Sequence, residues 1–291
     1  MRGVGTTSGA VTVVNALPTG IGCAVAVSLP VRAEIELRPS ADLTIQRIQL
    51  DRGSDTPLVR ETLGVGLSRF APGGVFSGEL RIESQVPVGK GLKSSSAVGG
   101  AVLRAIASAF RQSRSPEELA RLAADVAQQI GLSATGAYDD CLAALRGGVA
   151  LSDNSNRRSL RSPAFDTTLE VALWIPTGTH APSSGWKERF QKEVETGRAA
   201  AEAARGGHWV EAMTLNTELV ERVMGYDYRE LRSALLRQGA TMCGVSGMGP
   251  ALAAFVPIEK IEAVMSSFPE SRGEIRRVKI RPSEPATPGE A

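Results

Sequence analysis

Pro87-Val88-Gly89-Lys90-Gly91-Leu92-Lys93-Ser94-Ser95-Ser96-Ala97 is the stretch from which the rest of the chain can be read. It follows the polar/apolar alternation Glu79-Leu80-Arg81-Ile82-Glu83, which predicts a half-buried strand. It opens a run in which Ala97, Val98, Ala101, Val102, Ala105, Ile106, Ala109 and Phe110 recur at helical spacing. Gly89 and Gly91 remove side chains where the backbone must turn sharply or approach a ligand. The three serines stand where the first amides of a helix lack carbonyl partners. Those amides and the positive end of the helix dipole make an anion site. Lys90 and Lys93 add positive charge, and the serine hydroxyls can donate to phosphate oxygens or hold Mg²⁺ through a lone pair. Nucleotide phosphates are the expected ligand. An ordinary capping turn is the competing reading, but a cap needs neither two glycines nor three serines.

Two other glycine-rich loops are excluded by spacing. In a Walker A loop the second glycine is followed directly by lysine, whereas Leu92 separates Gly91 from Lys93. A dinucleotide fingerprint needs a third glycine, and Ser94 occupies that place. At 291 residues the chain can bury a full core, and 42% hydrophobic with 22% charged residues is ordinary for a globular protein. A net charge of +2 makes no electrostatic case for nucleic acid or an anionic membrane. Cys23, Cys141 and Cys243 lie far apart without a C-x-x-C, and His180 and His208 are the only histidines, so neither a zinc site nor a disulfide framework is expected. Without a signal-like N-terminus or an apolar run long enough to span a bilayer, a cytoplasmic location is expected.

Before the glycine loop, Val11-Thr12-Val13-Val14 predicts a strand entering the turn-rich Asn15-Ala16-Leu17-Pro18-Thr19-Gly20. Arg32–Leu37, Leu43–Ile45 and Glu79–Glu83 alternate as three antiparallel strands, and residues 51–78, with many glycines and few long apolar runs, read as a loop region contributing to a substrate pocket. Ser115-Pro116-Glu117-Glu118 carries an N-cap, a first-turn proline and a capping-box glutamate, opening a helix to about Ile130. In Thr135-Gly136-Ala137-Tyr138-Asp139-Asp140-Cys141, two carboxylates sit at the start of a small-residue helix ending at Gly147-Gly148. They suit the helix dipole, or one of them serves as a base for an attacking hydroxyl. Leu169–Ile175 predicts a strand, and Ser184–Arg205 and Trp209–Met224 predict amphipathic helices. His208 reads as a cap or packing residue, and the His180 loop carries no motif. Gly244-Val245-Ser246-Gly247-Met248-Gly249-Pro250 again concentrates glycine, as a tight hairpin or a second phosphate approach, before a strand Ala251–Val256, a helix Ile258–Phe268 and a last strand Ile275–Ile280. From Pro282 the composition predicts a disordered tail.

These three stretches, in this order, resemble the signatures of the GHMP kinases: P-x-G-x-G-L-x-S-S-[SA], a short segment with Asp opening a helix, and G-x-[ST]-G-x-G-[PG]. The K-S-S-S-A form of the loop, Thr135–Asp140 and Asn15–Gly20 look most like the archaeal-type shikimate kinases, over about residues 5–281. The resemblance implies an α+β fold of two domains, an N-terminal one like ribosomal protein S5 domain 2 over residues 1–164 and a C-terminal ferredoxin-like α/β sandwich over 165–281, with 282–291 as the tail. It implies ATP-dependent phosphorylation of the shikimate 3-hydroxyl, with Mg²⁺, by a monomer or homodimer. Pro87, Gly89, Lys90, Gly91, Leu92, Lys93, Ser94, Ser95, Ser96, Ala97, Gly247 and Gly249 are then expected at ATP, Ser95 at the metal, and Asp139 as the base. Asn15, Thr19 and Ser246 are weaker candidates for substrate. Homoserine or another small alcohol, a nucleotide-sensing protein on the same fold, and a decarboxylase retaining the Asp are the alternatives. Several relatives carry a lysine in the first motif where this chain has Ala10, so help for the attacking hydroxyl from that lysine is not expected, and Asp139 and Mg²⁺ would have to suffice.

Overall fold

The computed structural model describes residues 1–40, 47–50, 55–178 and 183–284. Two long strands start the chain, β1 (Arg2–Val14) and β2 (Ile21–Pro39), followed by β3 (Arg47–Leu50), α1 (Pro57–Phe70), β4 (Phe76–Ser84), α2 (Ser94–Ala109), α3 (Pro116–Gln129), α4 (Tyr138–Arg146), β5 (Val149–Asp153) and β6 (Arg158–Ser159). Then come β7 (Glu170–Pro176), α5 (Trp186–Lys192), α6 (Val194–Arg205), α7 (Trp209–Met224), α8 (Arg229–Arg237), β8 (Met242–Val245), β9 (Leu252–Val256), α9 (Ile261–Met265) and β10 (Gly273–Lys279).

The first sheet is organised on β2, which pairs with β1 along one edge and with β4 and β5 along the other. The second sheet has the order β10-β7-β9-β8 and is antiparallel throughout. Helix α2 lies against the first sheet with Ala97, Ala101, Val102, Ala105 and Ile106 fully buried, so the periodicity read from the sequence is its core stripe. The α+β class and the two-sheet architecture agree with expectation.

Several local expectations are corrected. Residues 55–78 are not a loop: Thr56 caps α1 by accepting from the Val59 amide, Pro57 sits in the first turn, and Phe76 already begins β4. The glycines that suggested a loop include Gly66, where α1 crosses closely over Ile106 of α2. The segment packs on the helical layer and lines no part of the site described below. Residues 51–54 and the expected strand Leu43–Ile45 lie outside the described residues. Strand β3, on residues for which no strand is expected, runs parallel to β4. The predicted helix Ser184–Arg205 is two helices broken at Glu193, and Ile258–Phe268 is a 3₁₀ turn followed by the short α9.

Of the expected disordered tail, residues 282–284 are held in place, and 285–291 lie outside the described residues. After Ile280 bridges to Val27, the Arg281 amide donates to Ala26 O (2.9 Å) and the Gly148 amide to Arg281 O (2.8 Å). The Glu284 carboxylate pairs with Arg104 and Arg281, and its amide donates to Arg146 O. Arg281 and Arg104 also donate to Ala144 O and Leu145 O, satisfying carbonyls at the C-terminal end of α4. Arg281 and Glu284 thus help tie down the helix whose other end carries Asp139. Among the described residues no helix is long and apolar enough to cross a membrane.

Candidate active site

Three parts of the sequence meet at the glycine loop. The Ala10 amide donates to Leu92 O (3.2 Å) and the Ala251 amide to Lys90 O (3.2 Å), so the loop is held between β1 and the start of β9. Ser246 links all three: its Oγ accepts from the Thr12 amide (3.1 Å) and donates to Gly91 O (2.7 Å). The fit at Gly91 is tight, because at φ 80° a Cβ there would lie 2.0 Å from Ser246 O. Asn15 fastens the other side, donating from Nδ2 to Gly247 O (3.2 Å) and accepting from the Leu17 amide.

This arrangement leaves the N-terminus of α2 open. Lys93 occupies its cap position in a left-handed conformation and provides no side-chain hydrogen bond to the first turn. The amides of Ser94, Ser95 and Ser96 therefore begin a helix whose positive end faces a cleft of about 620 Å³. Pro87, Gly89, Gly91, Leu92, Lys93, Ser94, Ser95, Ser96, Asn15, Asp139, Gly247 and Gly249 all line it. Four expected residues do not. Ala97 is core, and Lys90 donates instead to the carbonyls of Pro176 and Gly178, anchoring the loop to the end of β7. Ser246 is fully buried between the motifs, and Thr19 Oγ1 accepts from the Ile21 amide within its own turn. The structure gives these two a holding role. A separate hollow of about 650 Å³, walled by Phe165, Leu169, Trp209 and Met242, contains none of the expected residues.

Asp139 enters the cleft from the first turn of α4, where it is 3% exposed. Gly22 on β2 makes room for it, since a Cβ there would come within 2.4 Å of Asp139 Oδ2. The Asp139 amide donates to Asn154 Oδ1 (3.3 Å). Burial, and then the charge of Asp140 beside it, push the Asp139 carboxyl well above the usual carboxylate range, while Lys93 pulls in the opposite direction. Asp140 is also raised by burial and held back by Lys93. Lys93 Nζ lies 3.1 Å from Asp140 Oδ2, with side-chain exposures of 11% and 12%. Lys93, 46 residues earlier in the chain than Asp139, thus brings an ammonium to the carboxylate pair. Asp140 Oδ1 is buried and accepts no hydrogen bond from the described residues. The three cysteines are buried and free, and no metal-binding group of three or more His, Cys, Asp or Glu occurs among the described residues.

Sequence reasoning missed one wall of the cleft, formed by Leu17, Trp186, Lys187, Met224 and Met248. No local signal marks it as a wall, because Leu17 and Met248 from two of the motifs meet Trp186, Lys187 and Met224 only in the folded chain. His208 precedes α7 without a side-chain cap bond, and His180 lies outside the described residues.

The sequence profile described as the GHMP kinases N terminal domain matches residues 58–148, from within α1 to the end of α4. A shikimate kinase of Archaeoglobus fulgidus is 33% identical over 274 residues, covering 94% of this chain and 91% of the relative. The shikimate kinase of Pyrococcus furiosus is 34% identical over 272 residues, covering 92% of this chain and 97% of its own. Among solved structures, the mevalonate kinase of Methanococcus jannaschii superposes with a TM-score of 0.73 over 96% of this chain and 98% of its own, at 13% identity. Shared sequence over nearly the whole length, and a shared fold beyond it, place this chain in the GHMP kinase family, with the archaeal shikimate kinases.

Proposed function

We infer that this protein is a shikimate kinase, transferring the γ-phosphoryl group of ATP to the 3-hydroxyl of shikimate. The observation that carries the reading is the convergence of Asp139 with the open N-terminus of α2 in one cleft. The amides of Ser94–Ser96, with Gly89, Gly91, Gly247 and Gly249, cradle the phosphates. Aligned backbone donors in a water-poor site stabilise the charge that develops during transfer. Asp139 accepts the proton of the attacking hydroxyl. Its elevated proton affinity suits that task, because a general base works best near the operating pH. Lys93, paired with Asp140, lowers the proton affinity of Asp139 and adds positive charge at the transferring group.

The cleft fits Mg²⁺ by the chemistry of its donors: the Ser95 hydroxyl and the unpartnered Asp140 Oδ1 are hard oxygen ligands, and a magnesium site in a kinase needs few from protein because phosphates and water supply the rest. When bound, the ion neutralises phosphate oxygens. Residues 1–164 would carry the loop and the base, residues 165–281 would supply the covering motif and the far wall, and the enzyme would work in the cytoplasm as a monomer or homodimer.

The test is ADP release from Mg-ATP with shikimate, homoserine, mevalonate and galactose, using Asp139→Asn as control. Turnover on shikimate alone, abolished by the substitution, is expected. Turnover on another of these alcohols would replace the substrate, and ATP binding without turnover on any would turn the reading towards a sensor.

A further inference from the structure

The acceptor of this reaction carries a carboxylate, and a buried or half-buried carboxylate needs a cation. Most positive charges around the cleft are already engaged. Lys93 is held by Asp140, and Lys90 is spent on the carbonyls of Pro176 and Gly178. Arg157, behind the Gln128–Thr135 wall, donates to Asp125, Gln128, Thr135 O and Asn154 O. Arg189 on α5 is fixed by Val223 O, Ser184 O and Ser183 Oγ.

Lys187 differs from all of these. It lines the cleft from α5, and among the described residues no carboxylate pairs with it. Its ammonium sits 5.6 Å from the Trp186 ring centroid, a contact that leaves its N–H donors free. The surrounding wall of Leu17, Trp186, Met224 and Met248 is apolar. An apolar wall with an unpaired ammonium over its aromatic ring suits a small carbocycle bearing one carboxylate: the carbocycle packs on the apolar wall and the carboxylate meets the cation.

We propose that Lys187 is the specificity-determining residue that binds the acceptor's carboxylate, with Trp186 packing against the acceptor's ring. The proposal rests on the shikimate reading of the cleft. A carboxylate–ammonium contact makes acceptor binding depend on charge while leaving the nucleotide end untouched.

The test compares wild type, Lys187→Met and Lys187→Arg in steady-state kinetics with shikimate and its neutral methyl ester, together with calorimetric binding of shikimate to the enzyme saturated with Mg-ADP. Lys187 is exposed, so all three proteins are expected to fold alike. Lys187→Met is expected to raise the KM and Kd for shikimate roughly 10- to 100-fold, the size of a lost charge-assisted hydrogen bond, with the KM for ATP unchanged. The wild-type preference for acid over ester should collapse in Lys187→Met and return in Lys187→Arg. If wild type phosphorylates shikimate and Lys187→Met keeps both its KM and the acid-over-ester preference, the proposal is overturned while the kinase reading stands. If wild type neither binds nor phosphorylates shikimate, both fall together.

Discussion

Helices α2 and α3 follow one another in the chain, and their N-termini are built on opposite plans. At α3, Ser115 Oγ accepts from the Glu118 amide, Pro116 occupies the first turn, and Glu117 and Glu118 complement the dipole. Every local choice there favours the helix itself. At α2, the cap position is a left-handed lysine, the first turn has no acidic residue, and no side chain satisfies its amides. Helix α4 follows the second plan with the opposite charge: a left-handed Ala137 precedes two buried carboxylates. Of these three helix ends, the two without a side-chain cap face the same cleft, whereas the capped one does not.

Substitutions can break this contrast, and the largest effect is expected at α4. Asp139→Asn should lower kcat by roughly 10²- to 10⁴-fold, the usual contribution of a general base, while ATP binding persists. The same change should make the fold more stable. A carboxyl whose proton affinity is raised by folding binds more protons in the native state, so its contribution to stability falls as pH rises through the interval between its unfolded and folded values. Thermal melts should show Asp139→Asn above wild type at neutral pH and converging with it near pH 4. A variant that is inactive but less stable would contradict this account of the site.

At α2, Gly91→Ala should cost roughly 1–3 kcal/mol from the left-handed backbone alone and more from collision with Ser246 O. Chemical denaturation and ATP titration would read the two losses together. The Lys93–Asp140 pair sharpens the comparison through pH. Removing the like charge with Asp140→Asn should move the acidic limb of kcat to lower pH, because Asp139 then releases its proton more easily. Lys93→Met should move the limb to higher pH. Movement in the same direction for both would refute the assigned electrostatics. The smallest effect is expected at α3, where Ser115→Ala should lower stability by about 1 kcal/mol and leave kcat unchanged.

The same contrast explains what was legible in the sequence. The start of α3 was plain because its signals are local, and the loop before α2 was plain because two glycines and three serines within eight residues have few other uses. The α1 helix was missed although Thr56-Pro57 is a helix start, because Gly64 and Gly66 weighed as loop formers when they lie inside a helix. The partnership of Lys93 with Asp140 and the wall around Trp186 could not be read, since the residues involved are distant in sequence and their types are common. Ser246 was read as facing the substrate, yet its hydroxyl is consumed in holding two other motifs. A motif marks where a ligand comes close but does not say which of its members touch it.

The Ser246 junction also has a meaning in time. Its hydroxyl joins residues that are 234 and 155 positions away in the chain. At ribosomal speed the glycine loop leaves the tunnel roughly 10–30 s before the residue that supports it. Throughout that interval the emerging polypeptide has the glycine loop but not the hydroxyl that fastens it, and the end of α4 still awaits Arg281 and Glu284. A chain that stops short of Ser246 therefore lacks the hydroxyl that joins the glycine loop to β1.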